Sequence, residues 1–265
     1  SKATGYPLAF VAAKLALGAT LPQLRNTITG CTSADFEPSL DYVAVKVPRW
    51  DLQKFRFVTD QVTSEMKSVG EVMAIARNFE EALQKAIRML NIGADGLYPV
   101  PFQFPDLTRE VKRPTPRRIF AVAQALRSGW TAEEVSIATG IDRWFIERIA
   151  TCATMADTLE QSTFRVLDHP TLRHAKQLGF SDAAIGSLMR VDAHAVRSLR
   201  IQHGIVPSVK QIDTLAGEFP AQTNYLYMTY NGTADDCASV NASTCSAPMI
   251  MLGGGPYSIG SSVEF

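Results

Sequence analysis

Gly129-Trp130-Thr131-Ala132-Glu133-Glu134, then Ile141-Asp142-Arg143-Trp144-Phe145 starting twelve residues after Gly129, reads as a capped helix, a tight turn and a second capped helix. Thr131 with Glu134 is a capping box: the threonine hydroxyl accepts from the backbone three residues on while the glutamate reaches back. Asp142 opens a helix that carries Trp144, Phe145, Ile149 and Cys152. The same plan returns further along. Gly179-Phe180-Ser181 precedes Val191-Asp192 by the same offset of twelve, and the apolar pair Ile146/Ile149 is matched by Val196/Leu199. Two amphipathic hairpins can bury their stripes against each other, which predicts a small all-α unit over residues 115–204.

Upstream of the repeat, Thr115-Pro116 reads as a cap followed by proline at the first helical position, with Ile119, Phe120, Ala123 and Leu126 on one face and Gly129 as the stop. Residues 94–114 are proline-rich and lack a period, the signature of a linker. Before them the pattern is mixed. Pro7 starts a helix that ends at Gly18, and Val43, Val45 and Val47 alternate with Ala44 and Lys46 as a half-buried strand closed by Pro48. Residues 71–76 are a second strand candidate. Asn78 then caps a helix with Glu80 and Glu81 in its first turn and Phe79, Leu83, Ile87 and Leu90 as its stripe. Downstream of the repeat, Tyr225, Tyr227 and Thr229 alternate with Leu226 and Met228 as a strand. Met249-Ile250-Met251-Leu252 reads as a buried strand running into the glycine turn Gly253-Gly254-Gly255-Pro256. A strand, glycine turn and first helical turn call for a further strand, so the chain is expected to be part of something longer.

The bulk numbers exclude several classes. The 265 residues are 46% hydrophobic and 20% charged, a globular balance; Lys+Arg and Asp+Glu both total 26, so no net charge draws the chain to nucleic acid or to an anionic membrane. The apolar run 7–17 is broken by Lys14 and too short to span a bilayer. Cys31, Cys152, Cys237 and Cys245 form no CxxC pair and read as free thiols. His169, His174, His194 and His203 show no metal-ligand spacing. Glu37, Asp41 and Glu71 have no spacing that favours catalysis. Trp50, Trp130 and Trp144 read as core anchors. The glycine turn lacks the P-loop lysine and fits close packing as well as phosphate binding. The second repeat copy resembles a helix-turn-helix, with Arg197 and Arg200 on its second helix and Arg173, Lys176 and Arg190 nearby, so a nucleic-acid-binding module is the alternative reading.

Three long stretches carry a family resemblance. They are residues 1–18 (SKATGYPLAFVAAKLALG), Phe36-Glu-Pro-Ser-Leu-Asp-Tyr42 with Pro48-Arg-Trp-Asp51 and Met66-Lys-Ser-Val-Gly-Glu-Val-Met-Ala-Ile75, and residues 218–230 (EFPAQTNYLYMTY). In order and spacing they resemble the large (synthetase) component of carbamoyl-phosphate synthases, the eukaryotic type most closely. The resemblance covers essentially the whole chain and implies a mainly α fold: a central all-α helical oligomerisation domain flanked by α/β pieces of two ATP-grasp halves. Residues 1–92 then correspond to the C-terminal part of the first, carboxyphosphate-forming half, 93–205 to the helical domain, and 206–265 to the lead-in and first strand of the second, carbamoyl-phosphate-forming half.

The resemblance further implies a ligase making carbamoyl phosphate from bicarbonate, glutamine-derived ammonia and two ATP, serving arginine or pyrimidine biosynthesis. The family's nucleotide and metal ligands fall outside the chain, so no catalytic, cofactor-binding or metal residue is expected here. ATP, magnesium and potassium belong to the parent enzyme. What matches is the wall of the internal carbamate passage, at Leu40, Met66, Ser262 and Glu264. The implied partners are the rest of the synthetase chain, a glutaminase subunit or domain, and a second copy through the helical domain, with neither nucleic acid nor membrane. The implied location is cytoplasmic, with mitochondria as the other compartment of the family.

Overall fold

The computed structural model describes residues 2–223, 225–236, 249–251, 253, 255 and 256. Among them the order is α1 (Leu8–Ala16), β1 (Val43–Arg49), β2 (Gly70–Ala76), α2 (Phe79–Met89), α3 (Leu107–Lys112), α4 (Arg118–Arg127), α5 (Ala132–Thr139), α6 (Arg143–Gln161), α7 (His169–Gln177), α8 (Asp182–Met189), α9 (Ala193–Gln202), β3 (Ser208–Gln211) and β4 (Leu226–Thr229). The fold is mainly α, as expected. The strands form two antiparallel pairs, β1 with β2 from Val43↔Ala76 to Arg49↔Gly70, and β3 with β4 from Ser208↔Thr229 to Gln211↔Leu226.

The repeat forms as read. Thr131 Oγ1 accepts from Glu134 N at 3.2 Å while the Glu134 carboxylate accepts from Thr131 N at 2.7 Å. Asp142, Ser181 and Asp192 accept from the N–H groups of Trp144, Ala184 and His194 at 2.8, 2.9 and 2.7 Å. Each short helix ends on a left-handed residue, Gly140 at φ 72° in α5 and Arg190 at φ 57° in α8. That conformation is free for glycine and costs an L-residue about 1 kcal/mol or more. Val135, Ile146, Leu159, Ile185 and Val196 are completely buried and share one core with Phe120, Leu172 and Phe180. Each such side chain contributes roughly 1.5–3 kcal/mol of transfer free energy.

Five local expectations change. Residues 94–114 are not a linker: they hold α3, and Leu97, Tyr98 and Val111 are fully buried in the helical core. The Tyr98 hydroxyl donates to Ala123 O at 2.9 Å, so an aromatic with a polar end anchors what composition alone marks as loop. Thr115 is buried one turn before α4 rather than capping it, and the helix begins after Arg117. Pro48 lies inside β1 opposite Glu71, because a two-stranded ladder leaves each strand an open edge where proline costs no bond. Trp144 is 49% exposed, off the stripe set by Ile146 and Ile149, and makes edge contacts with Phe79 and Phe145 at 5.5 and 5.0 Å. Met249, Ile250 and Met251 are exposed and in no strand, since an apolar run needs a paired neighbour to be buried as one; Leu252 and Gly254 lie outside the described residues.

The two flanks meet. The Tyr225 and Tyr42 hydroxyls donate to Lys2 O and Ala3 O at 2.6 and 2.7 Å. Ser39 N donates to Thr214 O at 2.7 Å and Gln222 N to Ile28 O at 2.9 Å. Tyr42, Ile75, Ile212 and Tyr227 form a separate small apolar cluster between them. The chain thus leaves the first flank, builds the helical unit and returns to the flank it left.

Candidate functional site at the joint

The densest polar arrangement lies where the helical unit meets the flanks, and α2 is its centre. Amphipathic helices ordinarily keep their polar face in water. In α2 both faces are covered. Leu83 and Ile87 enter the helical core, Ala86 and Leu90 pack on Val72 and Ala74 of β2, and on the opposite side Glu80, Glu81 and Gln84 are buried as well.

Burial of that polar face is possible because nearly every group on it has a partner. Glu81 accepts from Thr229 Oγ1 at 2.6 Å, Tyr230 N at 3.1 Å and Asn231 Nδ2 at 2.9 Å. Lys85 Nζ donates to Ile75 O and Met228 O, both at 2.6 Å, tying β2 to β4; burial holds its ammonium below the ordinary lysine range. On the helical side, Gln84 Nε2 donates to Leu178 O at 2.8 Å, Arg88 Nη1 to Gly179 O at 3.0 Å, and the Asn78 side chain to Gln177 O at 3.2 Å. Arg148 of α6 lies 3.5 Å from Glu80. Gly179 (φ +91°) lets the α7–α8 turn approach: a Cβ there would sit 2.8 Å from Glu81 Cα.

Beside α2 lies an ionic cluster of two buried cations around the partly buried Asp182. Arg200 Nε reaches both oxygens of Asp182, at 3.1 and 2.8 Å, and Lys176 Nζ donates to Asp182 Oδ1 at 2.8 Å and to Phe180 O at 2.7 Å. Both cations sit over the Tyr230 ring, at 4.9 Å for Lys176 and 5.9 Å for Arg200. Burial is the largest influence on Asp182 and would raise it, but Lys176 and Arg200 together hold it below the usual carboxylate range. Burial is also largest for Lys176 and brings it down to about 8 against the pull of Asp182. A base whose folded pKa lies below its unfolded value of about 10.4 binds fewer protons when folded, so its contribution to stability rises between pH 8 and pH 10.4. Denaturant midpoints measured across that window should increase for the native chain relative to Lys176→Met. The raised Tyr42 and Tyr98 hydroxyls titrate in both chains and cancel.

These contacts weigh against the nucleic-acid alternative. Two of the five cations on which it rests, Lys176 and Arg200, are spent inside the protein on Asp182. Among the carboxylates, Asp41 pairs with Arg77 at 2.7 Å and Glu71 with Lys46 at 2.7 Å and Lys2 at 3.1 Å, so they form surface pairs rather than one site. Among the described residues no three His, Cys, Asp or Glu side chains are grouped to hold a metal ion. Cys31 is exposed and Cys152 buried, and both are free thiols; Cys237 and Cys245 lie outside the described residues. Of the passage residues, Leu40 follows the Ser39–Leu215 bridge and is 46% exposed, while Met66 is 92% exposed in the loop between β1 and β2. No described cavity is lined by both. Ser262 and Glu264 lie outside the described residues. The joint itself escaped sequence reading. The signal that could have found it is Gln84, an uncharged residue between Glu80 and Glu81 on one side and Arg88 on the other.

A repeated helical hairpin with a buried polar joint to the segments on either side defines a helical module, and the chain belongs to the carbamoyl-phosphate synthetase large chain family: the model of that family's oligomerisation domain matches residues 71–204. The whole chain is 47% identical to the mitochondrial carbamoyl-phosphate synthase (ammonia) of Aquarana catesbeiana, spanning 18% of that protein. It is 48% identical to the carbamoyl phosphate synthase large chain of Sulfurisphaera tokodaii, spanning 25% of it, and 46% identical to the multifunctional protein pyrABCN of Emericella nidulans, spanning 11%. The chain therefore spans a quarter or less of the relatives it matches. None of these names points to nucleic acid. Among the described residues no helix is long and apolar enough to cross a membrane.

Proposed function

We propose that this chain is the joint and self-association region of a carbamoyl-phosphate-forming ligase and performs no chemistry alone. The observation that carries the reading is that the residues matched by the oligomerisation-domain model, 71–204, are those that build the buried helical core and the polar face of α2. On this reading residues 1–92 belong to the first ATP-grasp half, 93–205 form the oligomerisation domain, and 206–265 lead into the second half. The ATP and magnesium sites, and any potassium site, are supplied by the rest of the parent chain. The nitrogen donor is glutamine through a glutaminase partner, with free ammonia the alternative that the Aquarana relative's name supports. The product feeds pyrimidine or arginine synthesis, in the cytoplasm or the mitochondrion. Leu40 and Met66, with Ser262 and Glu264, supply part of a passage wall that shields a hydrolysable carbamate from water.

The purified chain should show no bicarbonate-dependent ATP hydrolysis. Light scattering over a concentration series should give a mass rising above that of a monomer. ATP turnover by the chain alone, or a monomer mass at every concentration, overturns the corresponding half of the reading. Steep salt-dependent binding to duplex DNA would restore the alternative.

A further inference from the structure

The β3–β4 hairpin is attached differently on its two sides. Toward the first flank it is held by the apolar packing of Ile212 and Tyr227 against Tyr42 and Ile75, with Arg77 Nε on the Tyr227 hydroxyl at 3.3 Å and the Tyr225 hydroxyl on Lys2 O at 2.6 Å beside it. Toward the helical unit its attachments are polar: three hydrogen bonds into the Glu81 carboxylate, Asn231 Nδ2 to Gln177 O at 2.9 Å, and the Tyr230 ring beneath the Lys176 and Arg200 cations. Apolar contacts weaken gradually as surfaces part, whereas a buried carboxylate is either satisfied or costly, so a polar attachment has two states. Glu81 is 2% exposed and all three of its partners come from the consecutive residues 229–231, where the chain leaves β4.

We propose that Glu81 is a conformational latch that fixes how the β3–β4 hairpin, with the residues bonded to it after β4, seats on α2 and the helical unit. When the carboxylate is engaged, Thr229, Tyr230 and Asn231 are held on the N-terminal turn of α2 and, through Asn231, on the end of α7. When it is released, the hairpin stays with the first flank through the Tyr42–Tyr227 cluster and carries residues 235 and 236 with it, since Val209 N donates to Asp235 Oδ1 at 2.8 Å, Gln211 N to Asp236 Oδ2 at 3.0 Å and Asp236 N to Val209 O at 2.9 Å. The latch rests on the reading of the chain as a joint, since its consequence is the orientation of whatever follows. Glu81 is a positioning residue in that sense and touches no substrate.

Amide hydrogen exchange of the full 265-residue chain tests this directly. In Glu81→Gln the amide that replaces one carboxylate oxygen points a donor at donors. Peptides covering residues 226–231 and 175–179 should then exchange at least tenfold faster, while peptides from α4 and α6 stay at native rates. Thr229→Val, which removes one of the three donors, should give a smaller rise confined to the same peptides. Unchanged exchange at 226–231 in Glu81→Gln overturns the latch, as does an equal rise in α4 and α6, which would mean general loosening. The readout uses neither ATP nor a partner, so a negative result removes the latch and leaves the joint reading standing. Conversely, ATP turnover by the chain would remove the joint reading without altering the exchange result.

Discussion

Replacing Gly179 with alanine should lower the thermal midpoint by about 10 °C. The residue holds φ +91° at the end of α7, and a Cβ built on it meets Glu81 Cα at 2.8 Å, Glu81 O at 3.1 Å and Gln84 Cβ at 3.2 Å. Two of these neighbours are helix backbone, which cannot swing aside. The left-handed conformation costs an L-residue about 1–2 kcal/mol, and forcing apart a packed contact costs about 1–3 kcal/mol. At this chain length each kcal/mol moves the midpoint by roughly 2–4 °C. Gly129 provides the control. It has φ +95° and nothing within 4 Å of its Cβ position, so Gly129→Ala should show the backbone cost alone. Equal losses in the two variants would show that the α7–α8 turn is not pressed against α2.

Asp182→Asn should cost about 3–5 kcal/mol, the range found when one member of a buried ion pair is removed. Here two bases lose their carboxylate: Arg200 stays charged, while Lys176, already down to about 8 with Asp182 in place, is pushed lower. Lys176 and Arg200 are 4% and 7% exposed, and among the described residues Asp182 is the carboxylate both of them contact. Asparagine keeps the shape and can still accept one hydrogen bond, so the loss reports charge rather than volume. In urea the midpoint should fall at an unchanged slope, because no additional surface is exposed. Adding Lys176→Met should recover part of the loss by removing a buried amine that has lost its carboxylate. A second substitution that deepens the loss instead would mean that Lys176 matters chiefly for its bonds to Phe180 O and the Tyr230 ring.

The helical unit was readable because its signals are local. Thr131 with Glu134, Asp142, Ser181 and Asp192 each specify a helix start within four residues, and each cap forms. The strands were legible for the same reason, in the alternation 43–47 and 225–229. What was not legible depends on distant partners. Residues 94–114 resemble a linker until Tyr98 is seen under α4. Lys176 and Arg200 look like a basic face until Asp182 is placed between them. The polar side of α2 looks solvated until β4 arrives from 148 residues away in sequence. Of the passage residues only Leu40 and Met66 have a described position, and the family resemblance rather than any local pattern singled them out.

The meeting of the two flanks sets an order of events during folding. The helical hairpins close loops of a few residues, a step that is fast and entropically cheap. The Tyr225–Lys2 hydrogen bond joins residues 223 positions apart, and Ser39 must wait for Thr214. During synthesis the first flank therefore emerges long before the strands that cover Tyr42 and Ile75, and those apolar groups remain uncovered while the helical unit forms beside them. The helical unit acts in that interval as a template: α2 is already seated on its core when β4 arrives, and the last strand is captured by a surface prepared in advance.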